Sequence, residues 1–286
     1  LDSVGRRLNR DIAEIEKKRE ESLHALSGDA QTSEAGMIEE LDRQFGSLVD
    51  QWEKSIIPAH TTLKEETTTD PTTVEWLEAG PDQWTAPDTL SETVRYGSIS
   101  LSGAAEELPL PQSDRMQLPD APEYTLPLRL RVPDSASILV ETKQFGRDEA
   151  IKFLNYLSLA WLADSPAGRL SFSFIDPVGL GESFAGLMHL ADYEEILINS
   201  RIRTQEDQIE ARLGELCDHM EKVIQMYLRS DYETITQYNE AAGTIAERYH
   251  FVVIADFPKG FSDLAAKRLQ SIAASGARCG VFLLVH

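Results

Sequence analysis

The chain has 286 residues, of which 27 are Lys or Arg and 48 are Asp or Glu, so its formal net charge at pH 7 is -21. A negative surplus of this size disfavours long-range attraction of the whole chain to nucleic acid or to anionic lipid. The length is sufficient for one large domain or for two smaller parts that each bury a core.

The two cysteines, Cys217 and Cys279, lie far apart and lack a CxxC spacing. The sequence therefore predicts neither a disulfide framework nor a zinc knuckle, and we expect a reducing, cytoplasmic setting. No apolar run approaches the roughly 20 residues of a membrane helix. The chain begins without Met and stops directly after an apolar strand, and we interpret it as a fragment of a longer protein that is truncated at its C-terminus.

The first 57 residues follow a helical pattern, because apolar residues recur at steps of three and four. The polar residues 27–36 interrupt the pattern, and Pro58 ends it. We predict a helical hairpin or coiled-coil stalk over residues 1–57. A linker that covers the next domain and a partner-binding stalk are both open interpretations, because the heptads are few.

Residues 58–92 are predicted to form a linker, since residues 60–73 are polar, rich in Thr and end near a proline. Two tryptophans, Trp76 and Trp84, are expected to pin this region onto a core. Apolar alternation predicts short strands at residues 93–101 and 126–132. These strands form a lead-in, residues 93–136, to an α/β core over residues 137–286.

Strands and helices alternate after residue 137. Apolar strands are predicted at residues 138–140, 170–176, 251–256 and 281–285, and amphipathic helices at about 148–163, 209–227 and 264–272. Apolar strands separated by helices require parallel pairing, with helices on both faces of the sheet. Ligands of such sheets bind where the strands end and the next helices begin.

The first strand end has the outline of a phosphate-binding loop. An active loop reads GxxxxGK[ST], in which backbone amides and the lysine hold the phosphates and the hydroxyl binds magnesium. Alignment on Gly146 places Thr142 at the first glycine, Arg147 at the lysine and Asp148 at the hydroxyl. Each change weakens phosphate binding, and Asp148, reinforced by Glu149, is predicted to occupy the anion site at the helix N-terminus.

The strand end at Asp256 resembles an acidic strand that supports magnesium. The next residue is Phe257, where an active motor places a catalytic glutamate, so water activation has no evident agent. We expect Asp256 to cap the following turn, with metal support as the alternative. A third strand end carries Asp176 and Pro177.

Six pieces in order resemble one family. They are the strand and loop over residues 138–148, FIDP at 174–177, HL at 189–190, YN at 238–239, VVIAD at 252–256 and SGARCGVFLLV at 275–285. Together they resemble the RecA-like motor domain of the FtsK/SpoIIIE/HerA DNA translocases, over about half the chain. The resemblance implies an α/β P-loop fold, assembly into a ring, ATP and Mg²⁺ as cofactors, and DNA as a partner.

Our leading hypothesis is a catalytically degenerate module with a structural or regulatory role in a larger translocase or secretion ATPase. Such motors occur as tandem modules, as in the related type VII secretion ATPases. The expected partners are then other modules of the same polypeptide or a homo-oligomeric ring, and no cofactor is expected. An active ATP-dependent translocase, with ATP and Mg²⁺ at Thr142, Gly146, Arg147 and Asp148, and an interaction module acting through the N-terminal helices are the alternatives.

Two weaker patterns involve histidines and a glycine-rich stretch. His189 and His219 lack a second His or Cys at ligand spacing, so no metal site is predicted. The stretch GLGES at residues 179–183 lacks the flanks of a nucleophile turn. It is interpreted as a loop that could border the ligand cleft.

Overall fold

The computed structural model describes residues 2–69, 84–101, 110–143, 145–199, 201–228 and 232–286. By its internal contacts the chain divides into two units. The first comprises Leu1–Thr68 and Ser100–Thr125, and the second comprises Thr69–Ile99 and Leu126–His286. The predicted boundaries at residues 57, 92 and 136 stay predictions.

The first unit is dominated by one long helical run. Helix α1 (Asp2–Gln51) continues through a π-helical segment (Trp52–Ile56) into α2 (Ile57–Thr69). The indole of Trp52 donates to the carbonyl of Gln117 (3.4 Å), and Nδ1 of His60 lies 2.7 Å from the hydroxyl of Tyr124. The C-terminal part of the helical run is therefore packed against the segment of the first unit that contains Gln117 and Tyr124.

The predicted interruption at residues 27–36 and the predicted helix end at Pro58 are both wrong. Helix α1 runs through the polar stretch, in which each glycine costs only about 1 kcal/mol. Pro58 follows a π-helical turn, in which the N–H of Ile57 donates to the carbonyl of Trp52. Such a turn leaves room for the carbonyl group with which the proline ring would clash in a regular α-helix. Residues 60–69 are helical as well, although a loop was predicted there.

The second unit contains both sheets. Strands β1 (Thr93–Ser100) and β2 (Thr125–Arg131) form a two-stranded sheet at the predicted positions. Strands β3 (Ile138–Leu139), β4 (Leu170–Ile175), β5 (Tyr249–Ile254) and β6 (Val281–Val285) form a parallel sheet in the order β3-β6-β5-β4. The prediction of an α/β fold with a parallel sheet surrounded by helices is confirmed.

Helices and turns connect these strands. They are α3 (Arg147–Ala163), a 3-10 segment (Glu182–Asp192), α4 (Glu195–Ile198), α5 (Glu206–Met226), α6 (Ile235–Ala242) and α7 (Asp263–Ser275). Every residue of β4 and of β6 is buried. A strand that is covered on both faces often reads as a continuous apolar run, as β6 does, whereas β4 also contains two buried serines, Ser171 and Ser173.

Aromatic rings form the centre of this core. The ring of Phe251 lies 5.1 Å from Trp161, 5.6 Å from Phe172 and 5.3 Å from Phe282, measured between centroids. Contacts between helix α3 and three neighbouring strands therefore hold the sheet in place, and with it the strand ends. The indole of Trp84 donates to the carbonyl of Ala163 (3.2 Å), so this tryptophan pins its segment onto the unit as predicted, whereas Trp76 lies outside the described residues.

Candidate functional site

The ends of strands β3, β4 and β5 meet at one edge of the parallel sheet. Strand β3 leads through Thr142 and Gly146 into α3, β4 leads to Asp176, and β5 leads to Asp256. Parallel strands bring their carboxyl ends to the same edge, so the three predicted positions are brought together. We define the candidate site by the side chains that meet there.

Arg147 and Asp256 form the central contact of the site. The Nε atom of Arg147 donates to Oδ1 of Asp256 (2.8 Å), and Nη2 donates to Oδ2 (2.6 Å). The carboxylate is 9% exposed and the guanidinium side chain is 40% exposed. Two parallel N–H bonds of this kind are the strongest pairing that a guanidinium makes with a carboxylate. Both oxygens of the acidic residue are thus engaged by the residue at the lysine position.

The pair shifts the pKa of both groups. The hydrogen bond with Arg147 lowers the pKa of Asp256, and burial opposes this effect in part. The same hydrogen bond raises the pKa of Arg147, with smaller contributions from the charges of Asp256 and Asp176. Both groups are consequently held in their charged forms across the neutral range.

Asp176 organises the loop that faces this pair. Its side chain is fully buried, and its oxygens accept the backbone N–H groups of Gly179 (2.8 Å), Gly181 (3.0 Å) and Ser183 (3.0 Å). Gly179 fits only because it has no side chain, since a Cβ atom would lie 2.5 Å from Oδ2 of Asp176. The buried carboxylate therefore folds the GLGES stretch around itself.

Ser183 joins this loop to helix α3. Its hydroxyl accepts a hydrogen bond from Nη2 of Arg147 (3.2 Å), and its carbonyl accepts one from Nδ2 of Asn155 (2.9 Å). The prediction that GLGES borders the cleft agrees with these contacts. The guanidinium of Arg147 thus bridges the loop after β4 and the end of β5.

The side chain of Thr142 contacts a residue other than Arg147, Asp256 or Ser183. Its Oγ1 lies 2.8 Å from Nε2 of His286, the residue that follows β6. Gly146 precedes α3 with φ of 102°, a left-handed conformation that glycine adopts without strain. Gly146 thus allows the sharp turn into α3, while the side chain of Thr142 has a partner of its own in His286.

Asp148 does not take the role predicted for it. Its side chain is 81% exposed, and no side chain caps the N-terminus of α3. Glu149 is exposed too. The prediction that these carboxylates fill the anion site is wrong, because the start of α3 turns them towards solvent, where Asp148 lies 3.8 Å from Nη1 of Arg147.

Asp256 also differs from expectation, since its carboxylate pairs with Arg147 instead of capping the following turn. Its backbone has φ of 58°, so the chain turns sharply directly after β5. Phe257 follows, 38% exposed, and its ring packs against Phe261 at 5.1 Å between centroids. The residue after Asp256 is thus an aromatic side chain that packs locally.

Sequence reasoning identified the positions of the site but missed how they pair. Arg147, Gly146, Thr142 and Asp256 were singled out, whereas Ser183, Asn155 and His286 were not connected to them. The sequence does offer one signal for the pairing of Arg147 with Asp256. It aligns an arginine with the lysine of the phosphate-loop motif and places an aspartate at the end of a neighbouring apolar strand. No local pattern indicates the contacts of Asn155 and His286, since both depend on the packing of distant segments.

Other features of the described residues lie elsewhere. A cavity of about 460 Å³ is lined by Leu90, Val132, Arg169 and Tyr249, at the amino ends of β4 and β5. Within the described ranges, no group of three or more His, Cys, Asp or Glu side chains could hold a metal ion. No described helix is both long and apolar enough to cross a membrane.

No family model matches the chain, and no curated protein does. Solved structures do resemble it: the pCW3 conjugation coupling protein TcpA, solved as a monomer with ATPγS (16% identity, TM-score 0.45), and EssC ATPases 2 and 3 from Geobacillus thermodenitrificans (15%, 0.47). A third is the cytoplasmic domain of the type VII secretion ATPase EccC from Thermomonospora curvata (20%, 0.45). These are FtsK/SpoIIIE-type ATPases.

The matches cover 71%, 72% and 75% of this chain and 51%, 36% and 24% of TcpA, EssC and EccC, respectively. The chain therefore spans between about a quarter and a half of these proteins.

Proposed function

We propose that the chain contains a degenerate FtsK/SpoIIIE-type P-loop module, with a structural or regulatory role in a larger cytoplasmic secretion, conjugation or translocation ATPase. The bidentate pair of Arg147 and Asp256 carries this proposal. In a working site the two positions hold a phosphate-binding lysine and a magnesium-supporting acid. Here Arg147 and Asp256 form hydrogen bonds with each other, so their charges are already paired.

The residues at the site do not fit a magnesium nucleotide. A bound nucleotide would need a cation directed at its phosphates and an acidic residue directed at its metal ion. Both oxygens of Asp256 accept from Arg147, and the same guanidinium also reaches Ser183. Binding would have to break the pair between a largely buried carboxylate and a partly exposed arginine, which costs about 2 kcal/mol.

The surroundings of the pair support a structural role. The pair and Ser183 tie together α3, the loop after β4 and the end of β5, which are the elements that a nucleotide would otherwise hold. Phe257 stands where a water-activating glutamate would be needed. The module thus keeps its strand ends in a fixed arrangement through its own side chains, and other modules could pack against them.

Calorimetric titration of the full chain with ATP and Mg²⁺ tests the proposal. We expect no binding at micromolar nucleotide and no release of phosphate. A matched variant restores the loop with Thr142→Gly, Arg147→Lys and Asp148→Ser, and a gain of affinity in that variant would support the assigned defect.

Micromolar binding together with turnover by the unmodified chain would overturn the proposal and favour the active ATPase. The substitution Asp148→Ala separates the two models further. It should lower nucleotide affinity if Asp148 holds magnesium. It should raise affinity or leave it unchanged if the site is degenerate, because an exposed negative charge near the loop is removed.

A further inference from the structure

Helix α1 carries large apolar side chains that the chain itself does not cover. Six of them are between 54% and 67% exposed: Ile15, Leu23, Leu26, Met37, Leu41 and Leu48. Single exposed apolar residues are common on protein surfaces, whereas a continuous apolar stripe marks an interaction site. The arrangement of these six residues decides which description applies.

The spacing along α1 follows a repeat of 11 residues. Three series have this step: Val4, Ile15, Leu26, Met37 and Leu48; Leu8, Arg19, Ala30 and Leu41; Ile12, Leu23, Glu34 and Phe45. All members except Arg19 and Glu34 are apolar. The helix is unbroken from Asp2 to Gln51, so the repeat holds its register over the whole length.

An 11-residue repeat has 3.67 residues per turn, close to the 3.6 of a straight helix. At about 100° per residue, these six residues fall within a sector of about 80°. Ile38, which is 53% exposed, lies about 60° outside this sector. Between Ile15 and Leu48 this apolar seam extends about 50 Å along the axis, at 1.5 Å per residue. A repeat of this kind is the signature of a coiled coil with a right-handed or nearly straight path.

The intrachain contacts of α1 use a different side of the helix. Phe45 lies under the guanidinium of Arg115 (5.4 Å to the ring centroid), Val49 is 6% exposed, and Trp52 bonds to Gln117. These residues lie at the edge of the seam or behind it. Packing within the first unit therefore leaves the seam uncovered.

We infer that the seam of α1 binds the seam of a second copy of this chain, with the two helices antiparallel. Because its apolar residues are equally spaced, the seam of one copy matches the seam of a second copy that runs in the opposite direction. Ile15 then lies opposite Leu48 of the other copy, and Leu26 lies opposite Met37, because both pairs share one midpoint in the sequence. Every apolar residue of the long series from Ile15 to Leu48 thus meets an apolar residue.

Of the two charged members of the seam, Arg19 favours the antiparallel orientation. In a parallel pair in register, Arg19 would face Arg19 and Glu34 would face Glu34, and like charges held opposite each other in an apolar seam are destabilising. In the antiparallel register Arg19 lies opposite Gln44, so the arginine no longer meets its own kind. Glu34 lies opposite Asp29, next to Ala30, so this position does not discriminate between the two orientations.

The distribution of charge along the helix favours the same orientation. Residues 6–19 contain six Lys or Arg and three Asp or Glu, whereas residues 44–57 contain two acidic residues and one basic residue. A parallel pair would place the two basic segments side by side. The antiparallel pair places each basic segment beside a segment of opposite net charge, which reduces repulsion.

Sedimentation of the full chain over a wide concentration range tests the inference. We expect a concentration-dependent species of twice the 31.9 kDa mass of one chain. The substitution Leu26→Arg should weaken this dimer roughly tenfold or more, because it places a charge in the seam. Ala35→Arg, on the opposite and exposed side of α1, is the matched control and should leave the dimer unchanged.

A charge-pair rescue tests the orientation. Leu26→Arg combined with Met37→Glu should restore dimerisation, since each Arg then faces a Glu of the other copy. In a parallel pair the double variant would face Arg with Arg and Glu with Glu, and it would stay monomeric. A wild-type chain that is monomeric at all concentrations, a trimer, or a double variant without rescue would each overturn the antiparallel dimer.

Discussion

Arg147 and Asp256 lie 109 positions apart in the sequence and are joined by two hydrogen bonds of 2.8 and 2.6 Å. The first residue begins the helix after β3, and the second lies two residues after the end of β5. The pair therefore connects two elements that are not neighbours in the order of the sheet, since β6 lies between their strands.

The first prediction concerns the stability that this pair provides. Arg147→Ala leaves a carboxylate that is 9% exposed without its cation. We expect a loss of about 2 kcal/mol in the free energy of unfolding, between the values for exposed and buried pairs, because the arginine is partly exposed. Urea denaturation at pH 7 measures it.

Arg147→Lys keeps the positive charge but lacks the planar guanidinium group, so it is the control for charge alone. It should recover part of the lost free energy of unfolding. The effect should also depend on pH in a defined direction. The pKa of Asp256 is lowered in the folded chain, so its contribution is present above the unfolded value of about 3.9 and disappears as the pH falls through the folded value. Equal stability of Arg147→Ala and wild type at pH 7 would contradict the assignment.

The second prediction concerns the loop around Asp176. Gly179→Ala would place a methyl group 2.5 Å from Oδ2 of Asp176 and 3.0 Å from the hydroxyl of Ser183. We expect a loss of about 2 kcal/mol, as for overpacking in a rigid environment. Thermal unfolding of Gly186→Ala provides the comparison, because a Cβ at this nearby glycine meets nothing within 4 Å. Similar midpoints for the two variants would argue against a rigid turn.

The sequence predicts the core of the second unit well, because strands buried on both faces appear as apolar runs such as VFLLV at 281–285. The helical run of the first unit was divided incorrectly. Breaks were placed at polar residues and at Pro58 by local propensity, which a π-helical turn and distant contacts such as His60 with Tyr124 can override.

For the candidate site, the sequence predicts which residues meet, since parallel strands bring their ends together. It does not predict how they pair. Asp148 was assigned the anion site because of its position in the first helical turn, but its side chain faces solvent. The charge that compensates Arg147 comes instead from Asp256, and only the sheet order brings that residue within reach.

The third prediction concerns Asp164, the residue after helix α3. Burial raises its pKa to about 6, from an ordinary value of 3.8. The folded chain therefore favours the protonated form, and a cost in stability develops as the pH rises from about 4 to 6. Asp164→Asn removes this cost and should stabilise the chain at pH 7 by about 1 kcal/mol, allowing for partial exposure.

The gain should shrink at pH 4.5, where the wild-type carboxyl is largely protonated in the folded chain. Midpoints of thermal unfolding at the two pH values provide the measurement. Asp192→Asn is the control, since the side chain of Asp192 is 76% exposed. A gain for Asp164→Asn of the same size at both pH values would point to a cause other than the charge.

The fourth prediction concerns His250 and His219, whose rings are in edge contact at 4.6 Å between centroids. Burial lowers the pKa of His250 to about 3, and the charges of His219, Arg212 and Arg248 act in the same direction. Burial also lowers the pKa of His219. The unfolded chain therefore binds more protons than the folded chain below about pH 6.5, so stability falls as the pH decreases from 6.5 towards 3.

His250→Phe should make this decline shallower by about 2 kcal/mol between pH 7 and pH 4.5, because one of the two protonation events no longer favours unfolding. Phenylalanine can keep the ring contact with His219. It also removes Nδ1 of His250, which is buried and has no hydrogen-bond partner among the described residues. Urea denaturation at several pH values compares it with His189→Gln, whose wild-type side chain is 84% exposed. An acid profile of His250→Phe that matches wild type would show that the buried imidazoles do not set the acid limit of the fold.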